Sequence, residues 1–370
     1  MKARVIVAAS EHDANMLYAT GMFVPDPFIY CEARGRSHIV LSDLEIDRGR
    51  RVAKVDKVHS YSQYVAKLKR AGLKTPRLAD VLAWALREHG IRSAEVPSNF
   101  PLGLAQQVKS CRFTAKPDPF FPERQIKTAQ EIRHIEDGLE LAQMGMRAGI
   151  NALQGAKVGR DGWLYWRGQK LTSDHVRGVI EATIAGMGGT VSNTIVAGGD
   201  QACDPHERGH GPLRANRPII LDVFPRDRSG YYGDITRTVV RGRASEAVKK
   251  LYATVAEGQQ IAMRMIRKGV NGRDVHAAIQ DHFTKNGYVT GVKNGTMQGF
   301  FHGTGHGLGL DIHEPIRVAP ADTVLRAGNV VTVEPGLYYR GVGGVRIEDV
   351  VLVQARGVKV LSRFPKVLEL

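Results

Sequence analysis

Ile219-Ile220-Leu221-Asp222-Val223-Phe224 is apolar except for one carboxylate. A turn, Pro225-Arg226-Asp227-Arg228-Ser229-Gly230, follows, and the chain returns as Tyr231-Tyr232-Gly233-Asp234-Ile235-Thr236-Arg237-Thr238. A hairpin centred on Arg228 puts Asp222 and Asp234, each six residues from it, in opposed positions with Cβ atoms about 4.5–5.5 Å apart. Like charges at that spacing destabilise a sheet unless a cation lies between them. The plainer alternative is that one aspartate serves the turn and the register differs.

Further along, Phe301-His302-Gly303-Thr304-Gly305-His306-Gly307-Leu308-Gly309-Leu310-Asp311-Ile312-His313-Glu314 carries three histidines among four glycines. Glycine lets a backbone pass close to other groups, and clustered imidazoles in such a loop point to a metal or catalytic site. A phosphate-binding reading is weak, because no strand-turn-helix unit surrounds the loop. Glu334 follows Val331-Thr332-Val333 on the face of Thr332, and Arg346 and Glu348 share a face in Val345-Arg346-Ile347-Glu348. Either glutamate alone reads as a solvated strand end. Together with the hairpin pair they make an oxygen-rich ligand set with one imidazole, suited to Mn, Co, Fe or Zn and unlike a thiolate-rich structural zinc site.

His206-Glu207-Arg208-Gly209-His210 matches HExxH. That motif works only on a helix, where histidines four apart share a face. Here Pro205, Gly209, Gly211 and Pro212 preclude one, so the zinc-protease reading fails on local structure.

These groups need a scaffold. The 370 residues suffice for two domains. Pro117, Pro119 and Pro122 mark the linker, which predicts domains over 1–122 and 123–370. The first has strand-like runs at 4–9, 28–31 and 38–42 and helices at 61–71 and 78–88, and it reads as an α/β accessory domain. In the second, Ile132, Ile135, Leu139, Ala142 and Met146 recur at helical steps, predicting a helix over 127–154. Further helices are expected at 172–187, 245–268 and 272–286, and strands at 190–197, 217–224, 231–241, 329–333 and 344–353. Regular βαβ spacing is absent and no internal repeat is evident, so the fold class is α+β.

Apolar residues make up 43 % and charged residues 24 %, as in ordinary globular proteins. The net charge of +15 favours anionic partners in general. The basic residues are dispersed and no nucleic-acid motif accompanies them, so a solvated basic surface is expected rather than specific nucleic-acid binding. No window approaches the roughly 18 apolar residues of a membrane span. The apolar run after Arg4 breaks at Ser10, too early for a signal peptide. Three widely spaced cysteines fit a reducing, cytoplasmic setting.

The ordered set Asp222, Asp234, His306, Glu334 and Glu348 resembles the metal-ligand series of the M24 metallopeptidases, which have the pita-bread fold. Asp234-Ile235-Thr236-Arg237-Thr238, Gly305–Gly309 leading to His313-Glu314, Glu334-Pro335-Gly336 and Arg346-Ile347-Glu348-Asp349 carry the likeness from Lys127 onward. Asn15-Met16-Leu17-Tyr18-Ala19-Thr20-Gly21 resembles the creatinase-like accessory domain of aminopeptidase P and prolidase. The resemblance implies two divalent ions (Mn, Co or Zn), bridged by Asp234 and Glu348, with Asp222 on one and His306 and Glu334 on the other. It implies hydrolysis of the bond before proline, in a peptide or dipeptide with proline second, by a metal-bridging hydroxide.

Glu334 would then shuttle the proton and His313 would bond the scissile carbonyl. His206 and His302 would line the substrate pocket, and Arg346 would hold a carboxylate by its fork. A homodimer is implied too. Methionine aminopeptidase-like specificity, a non-catalytic binding protein and creatinase-like chemistry are the alternatives; five retained ligands disfavour the last two. Two departures stand out. Asp222 and Asp234 are twelve apart, one residue more than the usual spacing, and His206 is followed by Glu207 where relatives often have a second histidine.

Overall fold

The computed structural model describes residues 2–370, which divide into two compact units, one running to Arg124 and the other from Gln125 to Leu370. The first unit contains β1 (Ala3–Ala8), α1 (Ala14–Thr20), β2 (Phe28–Ala33), β3 (Arg36–Leu41), α2 (Ile46–Val52), β4 (Lys57–Ser60), α3 (Tyr61–Arg70), α4 (Leu78–Glu88), β5 (Ser93–Pro97), α5 (Leu102–Gln107) and β6 (Arg112–Lys116). Its strands form one mixed sheet in the order β4-β3-β2-β1-β5-β6. Successive side chains of a strand alternate between faces. In β1, Val5 and Val7 pack with Tyr64, Leu68 and Leu82 of the helices, whereas Ile6 packs with Met16, Ile46 and Phe120. Both faces are therefore covered, which explains the unbroken apolar run in β1.

The second unit begins with α6 (Ala129–Gly155), whose N-terminus is closed by a capping box between Thr128 and Glu131. A small sheet, β7 (Lys157–Val158), β8 (Leu164–Trp166) and β9 (Gln169–Lys170), leads to α7 (Ser173–Gly186). Then come β10 (Ile195–Gly198), β11 (Pro218–Val223), β12 (Ile235–Val240), α8 (Glu246–Met265), α9 (Gly272–Lys285), β13 (Gly291–Lys293) and β14 (Thr296–Gln298). The remaining strands are β15 (Gly305–Gly307), β16 (Glu314–Val318), β17 (Val330–Val333), β18 (Gly336–Tyr339), β19 (Gly343–Arg346), β20 (Asp349–Val353) and β21 (Val358–Val360).

The principal sheets of this unit, β10-β11-β12 and β16-β15-β17-β20-β21, are antiparallel. Each follows a pair of long helices, α6 with α7 and α8 with α9. The same plan thus occurs twice, although no sequence repeat shows it. This is the pita-bread α+β arrangement.

Three expected elements differ. The helix expected to reach Lys268 stops at Met265, because Lys268 N donates to Gln354 O and Gly269 N to Leu325 O. The strand expected from Thr190 begins only at Ile195, since Asn193 adopts a left-handed φ of 63°. The single strand expected over 344–353 is two strands in different sheets, with Ile347 and Glu348 forming the step between them.

Candidate metal centre

Asp222 pairs with Thr236 and Val223 with Ile235, so the hairpin is centred on Ser229 and the two aspartates are not opposed. The expected pairing was two residues off, with the centre displaced by one. Asp227 sets the turn: its carboxylate accepts hydrogen bonds from Ser229 N at 3.1 Å, Ser229 Oγ at 2.7 Å and Tyr231 N at 2.9 Å. The shift still leaves Asp234 two residues from Thr236, on Asp222's side of the hairpin. Asp234 is held there by a close backbone approach. A Cβ on Gly233 would lie 2.2 Å from the Gly138 carbonyl in α6, and one on Gly138 would lie 2.7 Å from Gly233 N.

His306 sits on β15, where Gly305 presses against β17; a Cβ there would lie 1.9 Å from Thr332 O. Nδ1 of His306 is 3.1 Å from Gly307 O. A carbonyl only accepts, so Nδ1 carries the proton and Nε2 presents its lone pair. Nε2 faces Glu334 Oε1 at 3.3 Å and Asp234 Oδ2 at 3.8 Å. Donor atoms of Asp234, His306 and Glu348 all lie within 4.8 Å of one another.

The flanking motif residues explain how Glu348 is placed. Thr236 Oγ1 donates to Glu348 Oε2 at 2.8 Å, and Glu348 N donates to Thr236 O at 3.1 Å. Next door, Arg237, 1 % exposed, binds Asp349 Oδ1 at 2.9 Å and the Phe364 and Pro365 carbonyls. Side by side in sequence, Thr236 and Arg237 thus tie β12 to the step before β20.

Asp222 Oδ2 accepts from Arg346 Nη2 at 2.6 Å. Arg346 Nη1 donates to Tyr338 Oη at 3.1 Å, and Tyr338 Oη is 2.8 Å from His302 Nε2. His302 Nδ1 lies 2.7 Å from Gly303 O. The protons therefore run one way: Arg346 to Tyr338, Tyr338 to His302, His302 to the carbonyl. The fork expected to hold a carboxylate does meet one, Asp222, but through Nη2 alone, because Nη1 is turned to Tyr338. Tyr338 was not singled out from the sequence; its place four residues after Glu334, beyond Pro335-Gly336, is the available cue.

Asp222, Asp234, His306, Glu334, Arg346 and Glu348 line one cavity of about 950 Å³ together with His206, His302, His313, Phe224, Phe301 and Arg317. His206 is on its exposed rim and His313 packs edge-on against His306 with centroids 4.4 Å apart. His206 and His210 lie in irregular chain, with no helix to align them.

Burial raises the Asp234 and Glu348 carboxyls well above the usual range, and neighbouring carboxylates add to it. Burial also pushes Glu334 up to about 8, against the opposing pull of Arg346. Desolvation, then Arg346, holds His302 down to about 3; desolvation, then His313, holds His306 at about 3. Glu348 Oε1 and Asp222 Oδ1 are buried without a hydrogen-bond partner. Four carboxyls facing one another, two orphaned oxygens and an imidazole lone pair fit divalent cations, which would supply the missing positive charge.

This fold and donor set define a metal-dependent hydrolase of the pita-bread class. The model of metallopeptidase family M24 matches residues 135–355, and the chain belongs to that family. A Xaa-Pro dipeptidase from Pyrococcus horikoshii is 30 % identical over 281 residues, 74 % of this chain and 74 % of that protein. An uncharacterized peptidase of Bacillus subtilis is 31 % identical over 248 residues, 66 % of this chain and 64 % of that one, slightly under two-thirds of its length. The structure of a Xaa-Pro dipeptidase from Bacillus anthracis superposes with a TM-score of 0.83 at 24 % identity, covering 100 % of this chain and 95 % of that one, a likeness of fold. The protein is a metallopeptidase. Among the described residues no helix is long and apolar enough to cross a membrane.

Proposed function

We propose that this chain hydrolyses the peptide bond before a proline, in Xaa-Pro dipeptides or at the N-terminus of Xaa-Pro peptides, with two divalent cations held by Asp222, Asp234, His306, Glu334 and Glu348. The reading is carried by the convergence of Asp234, His306 and Glu348 donor atoms within 4.8 Å in a cavity where Glu348 Oε1 and Asp222 Oδ1 lack partners. The Pyrococcus horikoshii relative supports the choice of substrate. Divalent cations (Mn, Co or Zn) held by these five residues would supply the positive charge that activates a water for attack on the scissile carbonyl.

The protein groups do the rest. Glu334, buried against His306, carries the proton from the attacking water to the leaving amine. His313, whose pKa partial desolvation lowers, donates a hydrogen bond to the carbonyl oxygen as charge develops there. His206 on the rim touches substrate near the scissile bond, and His302, fixed by Tyr338, shapes the pocket wall. Arg346 holds Asp222 in position and offsets part of the carboxylate charge. Arg317 adds a second positive charge to the cavity wall. The homodimer implied by the family resemblance is checked by light scattering. The free, buried cysteines accord with a reducing, cytoplasmic setting.

The test is turnover of Gly-Pro against Gly-Pro-Xaa after loading with Mn, Co or Zn. Hydrolysis of either, abolished in Asp234→Ala and Glu348→Ala, supports the reading. No turnover of either substrate with any metal overturns it. Cleavage of Met-led peptides alone moves the specificity to the methionine aminopeptidase type.

A further inference from the structure

The first unit holds a cluster that the peptidase chemistry does not use. His38 on β3 and His59 on β4 belong to adjacent parallel strands, with His38 beside Lys57 and His59 beside Val40. They lie two register positions apart, so both project from the sheet face that α3 and α4 cover. His89 is the C-cap of α4, and its ring reaches the same place. His38 Nδ1 is 3.2 Å from His59 Nε2, and the His38 and His89 rings are stacked with centroids 3.9 Å apart. One nitrogen from each ring lies within 4.8 Å of one from each of the others.

Two features set this trio apart from ordinary packed histidines. His89 Nε2 is buried and has no hydrogen-bond partner, a costly arrangement for an imidazole nitrogen. The 3.2 Å contact between His38 and His59 is a ring-to-ring hydrogen bond without a cation, and the same spacing is close to the edge of a tetrahedron with bonds of about 2.05 Å, about 3.3 Å, so a cation would take the place of the shared proton.

We propose that His38, His59 and His89 form a third metal site, separate from the peptidase centre, that binds one imidazole-preferring divalent cation of the zinc class. Three neutral imidazoles supply three of four tetrahedral positions, and the partial exposure of all three residues leaves the fourth to water. Desolvation, then His89, lowers His38 to about 4, and desolvation lowers His59 and His89 as well. Their lone pairs are therefore available at neutral pH. Asp56 beside His38, and Glu88 beside His59 and His89, bring negative charge near a bound cation, opposed by Arg36, Lys57 and Lys67, the last paired with Glu88 at 3.1 Å. Binding turns the His89 ring out of its stack on His38, so that the lone pairs converge.

The probe is zinc, measured as equivalents per full-length chain after equilibrium dialysis at micromolar free Zn²⁺. Asp234→Asn, which weakens the peptidase centre, separates the two sites. The expected result is that His59→Gln in this background binds one equivalent fewer than Asp234→Asn alone. Zinc should also raise the melting midpoint of Asp234→Asn by more than it raises that of the double variant. His38→Gln is measured in parallel, and the variant that keeps the far-ultraviolet circular dichroism of the parent is the one scored. Equal zinc content in parent and folded variant, with equal zinc-induced shifts, overturns the site and leaves the trio as stacked imidazoles. Failure of peptide hydrolysis does not bear on it, because neither readout is turnover.

Discussion

Tyr338 Oη takes a hydrogen bond from Arg346 and gives one to His302; Arg346 is buried and His302 half-buried in the cavity wall. Tyr338→Phe removes one oxygen, leaving His302 Nε2 without its donor and Arg346 Nη1 with only the longer contact to Pro205 O at 3.4 Å. Such a loss costs about 1–3 kcal/mol, so urea unfolding should register a drop of that size and kcat/KM should fall with it. An unchanged midpoint would show that water replaces the hydroxyl.

His302 gives a pH prediction. Burial holds its folded pKa down at about 3, well below the ordinary histidine value of about 6.5, so below 6.5 the unfolded chain binds a proton that the native chain does not. Its contribution is fully kept above about pH 6.5 and is lost progressively as pH falls toward 3, at a slope of up to about 1.4 kcal/mol per pH unit. Stability curves of His302→Gln should lack that one-proton slope between pH 6 and 4. A slope identical to the parent's would refute the assignment.

At the level of elements, the loop before β12 meets α6 backbone to backbone. Gly233→Ala would put a methyl 2.2 Å from the Gly138 carbonyl, and overpacking of this kind costs about 1–3 kcal/mol. Because Asp234 is the next residue, metal content should fall together with thermal stability; loss of one without the other would break the link between that contact and the site. Arg237 joins β12 to the step before β20 and to the C-terminal tail through Asp349, Phe364 and Pro365. Arg237→Met leaves Asp349 buried with only Lys366 as its cationic partner. A loss of about 3–5 kcal/mol is expected in denaturant titration, as for a broken buried pair.

For the molecule as a whole, cations that bind only the native state stabilise it by mass action, by about 2.7 kcal/mol at a hundredfold excess over Kd. Titrating Mn²⁺ into metal-free protein should raise the melting midpoint progressively, and Glu348→Gln should blunt that response. A midpoint indifferent to Mn²⁺, Co²⁺ and Zn²⁺ alike would contradict a native cation site. The net charge of +15 belongs to the same scale. It accounts for general attraction to anionic matrices, which salt screens, and it coexists with a buried cluster of four carboxyls because that cluster answers to local partners.

Much of this was legible in the residues. Helix α4 was anticipated at its observed bounds and Ser245 as the cap of α8, because apolar period and capping are local properties of the chain. The irregular path through His206–His210 was legible for the same reason, since proline and glycine act on their own backbone. Asp222, Asp234, His306, Glu334 and Glu348 could be named as a set because their flanking motifs are distinctive. Only the tertiary structure decided that Ser229 rather than Arg228 centres the hairpin, that Arg346 grips Asp222, and that Tyr338 and a histidine trio in the other unit matter. A register turns on one side chain's hydrogen bonds, and convergence of distant residues turns on how sheets and helices stack. Neither leaves a periodic trace along the chain.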